Sequence, residues 1–157
     1  MFSRGTSREF FHELDKEFLN LTTVEDDIFR YKGADVLVQG TWELPIIIQW
    51  PGSSINFEFS TKGGGIEFGI VFVPAVDDNH QDYHQDQDEL NLETVKEMSR
   101  VRSDIDKIEG SFTPPSEGVI FFLWDNTYDW TAVKKLSYYV EVYQVTIVQH
   151  YATLVVV

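Results

Sequence analysis

The chain of 157 residues contains no cysteine. That removes disulfide frameworks, thiolate-ligated zinc and thiol nucleophiles together, and it fits a reducing, cytoplasmic setting. Basic residues are also scarce: Lys and Arg total 12 against 26 Asp and Glu, a formal net charge of -14. A nucleic-acid surface needs clustered cations to neutralise phosphates, so no nucleic-acid partner is expected. Long apolar runs are missing too. Residues Met1 to Phe11 lack the apolar core of a secretory signal, and Val145 to Val157 is interrupted by Gln149 and His150. That stretch falls short of the roughly 20 apolar residues a spanning helix requires, so no transmembrane anchor is expected.

Aromatic side chains are plentiful, at 15% of the chain. The length and the 43% hydrophobic content suit one folded domain with a single core. Near the start, Phe11, Leu14, Phe18 and Leu21 recur at helical spacing, and Thr6 with Glu9 forms a capping box. Residues 1–30 are thus expected to form an amphipathic helix and a linker, with a β-sandwich over 31–157.

Beyond that point the period shortens to two. Ile55, Phe57 and Phe59 alternate with polar residues, as do Ile66, Phe68, Ile70 and Phe72 with others, and Gly63-Gly64-Gly65 between them suits a hairpin turn. Further strands are expected at Val36–Val38, Leu44–Trp50, Val119–Trp124 and Leu136–Tyr143, with one or two more in Val145–Val157. Pro45 points to an edge strand or a bulge. The unbroken run Val119–Trp124 suits a central strand covered on both faces. Seven or eight strands that each bury one face predict an all-β fold, an antiparallel β-sandwich.

One segment interrupts the pattern. Asp77 to Glu93 holds seven acids and no Lys or Arg, so half of the net charge sits there. Self-repulsion and low apolar content predict a solvated, disordered insertion over 77–100, with a short helix from Leu92 to Val101. His80, Asp82, His84, Asp86 and Asp88 lie within it, but their spacing matches no calcium loop, and neither a metal nor another cofactor is expected. The four histidines, His12, His80, His84 and His150, offer no convergent base for a hydroxyl nucleophile, so no catalytic residue is assigned.

The sharpest local motif is Trp124-Asp125-Asn126-Thr127-Tyr128. Asp125 and Asn126 suit a tight exit turn bonded to its own backbone, with Tyr128 packed beneath it. Trp130, Lys134 and Lys135 follow and form the candidate contact for a partner or a membrane: an aromatic beside two cations on an exposed loop.

Together with Trp50-Pro51-Gly52, the strands Phe57–Phe59 and Ile66–Phe72, Pro115-Ser116-Glu117-Gly118 and Lys134–Val142, this motif resembles the GOLD (Golgi dynamics) domain over about Val36 to Tyr143. Two departures stand out. Trp124 replaces the usual Phe, and Gly65 and Glu67 stand where an Asp and a Gly are usual. The resemblance implies a jelly-roll-like sandwich without enzymatic activity, used for protein–protein contacts in Golgi, secretory or lipid trafficking. The missing cysteines favour the cytosolic branch, peripheral at Golgi or endomembranes, as in lipid-transfer proteins and Golgi adaptors. It also implies an alternative, binding of a membrane or lipid headgroup through the loop around Trp130, although the Arg that accompanies the aromatic in an acyl-CoA-binding Golgi adaptor is unmatched.

Overall fold

The computed structural model describes residues 21–76 and 91–150. Eight strands follow in order: β1 (Leu21–Val38), β2 (Thr41–Ile48), β3 (Ser54–Lys62), β4 (Ile66–Pro74), β5 (Glu93–Val101), β6 (Ile108–Phe112), β7 (Gly118–Asp125) and β8 (Lys134–His150). Two four-stranded antiparallel sheets pack as a sandwich, one ordered β1-β8-β3-β6 and the other β2-β7-β4-β5. The body spans Ile28–Gln144, while residues before and after it form a second unit, of which the described parts are the ends of β1 and β8. No helix among the described residues is long and apolar enough to cross a membrane.

The expected alternation sorts the side chains. In β3 and β4, Ile55, Phe59, Ile66, Phe68, Ile70 and Phe72 are buried, with Phe57 partly so. The intervening hairpin places Gly63 at φ 98° and Gly64 at φ 119°, a backbone region that side-chain-bearing residues rarely enter. An aromatic stack joins the layers. Phe59 meets Phe68 at 4.5 Å between ring centroids, Phe68 lies 5.6 Å from Trp124, and Trp124 lies 5.5 Å from Tyr138 of the opposite sheet.

Several sequence expectations change. The helix expected from Leu92 to Val101 is instead the edge strand β5. It is almost wholly exposed and pairs with β4 through two register irregularities. Its apolar residues are too sparse to signal a strand, and the open edge of β4 decides its conformation. The strand β6, with Gly110 at its centre, is not expected from the sequence either. Leu21, expected on the helix, begins β1, so residues 21–30 are strand where a linker was expected; the rest of the expected helix falls outside the described residues. So do residues 77–90 of the acidic insertion, with the histidine and aspartate set inside them. β7 is central, as expected, but its burial alternates: Ile120, Phe122 and Trp124 are buried, while Val119, Phe121 and Leu123 on the other face are only partly covered. Pro45 does lie on an edge strand, β2.

Phe68→Ala removes a fully buried ring from the centre of the stack and should lower unfolding free energy by about 3–5 kcal/mol. Ile47→Ala, on the opposite face of the same sheet and 64% exposed, should change it by less than about 1 kcal/mol. Urea titration of both variants checks this pair of outcomes.

Candidate functional site

β7 leaves the core at Trp124, and the chain then turns sharply. The Asp125 carboxylate accepts the Thr127 amide at 2.7 Å, closing the expected turn on its own backbone. Asn126 does more than turn the chain. Its side chain is fully buried, and its amide nitrogen faces the carbonyls of Ala132 at 2.7 Å, Val38 at 3.2 Å and Asp129 at 3.4 Å. Its backbone N–H donates to Gly40 at 2.8 Å. One residue therefore ties the β7–β8 loop to the β1–β2 connection.

The expected basic tip is not assembled. Lys134 is 3% exposed, because it opens β8 on the parity that faces the core, two residues before the buried Leu136. Its ammonium donates to the Asp129 carboxylate at 2.8 Å and to the Gly63 carbonyl at 3.1 Å, and it lies 5.9 Å from the Tyr128 ring centre. That bond, with a second from the Thr131 hydroxyl, holds the Asp129 carboxyl below the usual aspartate range. Lys134 is thus a buried, neutralised tie between two loops. Lys135, on the opposite parity, is exposed and pairs in register with Lys62 of β3.

Tyr128 does not pack beneath its turn. It reaches across the β3–β4 hairpin, its hydroxyl donating to the Gly65 carbonyl at 2.8 Å, while the Arg100 guanidinium stacks 4.0 Å from its ring centre. Arg100 also bonds Glu67 at 3.4 Å. Trp130 remains exposed, at 69%, as expected for the loop tip. Of the three candidate contact residues, then, the structure leaves Trp130 and Lys135 at the surface and takes Lys134 inside.

A second surface went unassigned in the sequence. Register places Pro45 beside Phe121 and Val71, and Ile47 beside Val119 and Val73, all on the outer face of the sheet β2-β7-β4-β5. Leu123 continues the layer next to Gly69, which has no side chain because Met98 of β5 lies over it. The described strands cover this sheet on one side only. The unbroken run Val119–Leu123 carries the signal, but a run apolar on both faces reads equally as burial on both sides.

Among the described residues, no three histidine, aspartate or glutamate side chains converge on a metal site. Compared with models of known protein families, the chain matches none.

Asn126→Ala leaves several buried carbonyls without a donor and should cost about 2–3 kcal/mol in urea titration, against under about 1 for Thr127→Ala. For Asp129, the sign follows from its lowered pKa. Its contribution is complete above the ordinary carboxyl range and is lost as pH falls through the folded value. The stability gap between wild type and Asp129→Asn should therefore be widest above the ordinary carboxyl range and should close as pH falls below it. Thermal unfolding across that range checks it.

Proposed function

We propose that the chain is a non-enzymatic protein-binding domain, an adaptor of the kind used in Golgi, secretory or lipid trafficking, working on the cytoplasmic side of endomembranes. One observation carries the reading: the outer face of β2-β7-β4-β5 presents a continuous apolar layer that no described strand covers. Exposed apolar patches that span several strands mark interaction surfaces far more often than isolated exposed side chains do.

Support for the GOLD-like, jelly-roll form of the domain comes from the strand order. β1-β8-β3-β6 against β2-β7-β4-β5 sets first beside last, second beside seventh, third beside sixth and fourth beside fifth, with successive pairs alternating between the two sheets, as a rolled-up antiparallel ribbon does. The Asp125–Asn126 turn adds to this, since its side chains are spent on loop geometry and leave the motif a structural role. Fold likeness alone carries no function, and the apolar face is the part that argues for binding.

The alternative, a membrane or lipid-headgroup contact, rests on the exposed Trp130. It is the weaker reading, because Lys134 is neutralised by Asp129 and the chain as a whole is strongly acidic.

Affinity purification of the tagged full chain from its own cells, followed by rebinding with purified components, should recover a specific protein partner. Recovery of nothing beyond a tag control would overturn the adaptor reading. Flotation with anionic vesicles should leave the chain unbound; bound wild type and unbound Trp130→Ala would establish the membrane reading instead.

A further inference from the structure

The apolar outer face has a defined shape and a defined border. Leu123, Phe121 and Val119 run down its middle on β7, flanked by Ile47 and Pro45 on β2 and by Val71 and Val73 on β4. At one end the next positions are acidic: Glu43 opposite Leu123, then Asp125 paired with Glu67. At the other end stands the exposed Glu117, two residues before Val119, whose carbonyl extends the ladder by accepting from the Ala75 amide at 2.9 Å. The cation beside this face, Arg100, is already engaged by Glu67 and the Tyr128 ring.

We propose that this face seats one amphipathic helix of another protein, its apolar side flanked at both ends by Lys or Arg. The proposal rests on the adaptor reading above and names the partner's chemistry. A sheet face offers side chains but no free backbone groups, since those of β7 and β4 are consumed by neighbouring strands on both sides. An occupant must bring its own satisfied backbone, which a helix does and an extended segment does not. The dimensions agree. The three strands β2, β7 and β4 at about 4.8 Å spacing span about 10 Å, and Val119 to Leu123 runs about 13 Å, the footprint of a single helix about 10–12 Å wide.

The acidic ends select the flanks. Lys or Arg beyond the partner's apolar stretch would meet Glu43 at one end and Glu117 at the other, while Asp or Glu there would face like charge. The same border disfavours a second copy of this chain, because two-fold packing of the face on itself brings two chains, each of net charge -14, together.

Two helical peptides with identical apolar faces, one flanked by lysines and the other by glutamates, test this by fluorescence anisotropy against the full chain. The lysine-flanked peptide should bind at least tenfold tighter. Ile47→Asp and Met98→Glu, both at well-exposed positions, should each weaken it at least tenfold, and circular dichroism establishes that each variant folds. Glu43→Lys combined with Glu117→Lys should reverse the preference between the peptides. Equal or absent binding of the two peptides, binding indifferent to both face variants, or self-association in sedimentation that Ile47→Asp abolishes would each overturn the proposal. If the peptides fail while a specific cellular partner is still recovered, the adaptor reading stands and only the helix on this face falls.

Discussion

The aromatic stack between the sheets is the contact on which the rest of the body depends. Phe59 and Tyr138 from one layer interlock with Phe68 and Trp124 from the other at centroid separations from 4.5 to 5.6 Å, and Phe57 joins them by meeting Phe68 and Phe122 at 5.6 and 5.4 Å. Rings of this size bury much of the apolar area available to a domain of this length. They also fix register, since sliding any strand by one residue would turn its aromatic set outward. The end of β7 inherits that precision: Trp124 is locked in the core, so the turn beginning at Asp125 starts from a fixed point.

From that point the loops at this end of the sandwich are built from buried polar ties. Asn126 links the β7–β8 loop to the β1–β2 connection, and Lys134 links it to the β3–β4 hairpin through Asp129 and Gly63. The Thr61 and Ser103 hydroxyls, 2.6 Å apart, join the same hairpin to the β5–β6 turn, and Thr61 donates onward to the Gly64 carbonyl. Buried polar groups are costly without partners, so each such tie restricts the loops to the arrangement that satisfies it. The side chains of the most distinctive motif of the sequence are thereby engaged in the loops, and the surface proposed for binding lies elsewhere, on the outer face of β2-β7-β4-β5.

The testable surface combines two features that oppose each other in folding. An apolar sheet face left open to water is an aggregation liability. Carboxylates at both ends of it and a strongly negative chain counter that liability, and in the proposed complex the same charges would narrow the choice of partner.

Local sequence was enough to indicate β3 and β4 by alternation, β7 by its unbroken apolar run, and the glycine hairpin and the Asp125 turn by the backbone preferences of their residues, and it narrowed Pro45 to an edge strand or a bulge. The sequence also specified the acidic, cysteine-free character that bounds the partners. What only the tertiary structure decided were features set by neighbours distant in the chain. β5 is a strand because the open edge of β4 captures it, in spite of polar residues whose spacing suits a helix. Lys134 is buried because the parity of β8 turns it toward Asp129 and the hairpin, although the same residue in isolation belongs at the surface. The outer face of β7 stays partly exposed because the described strands provide one opposing layer, and a run apolar on both faces cannot say from its own composition which of those faces will be covered.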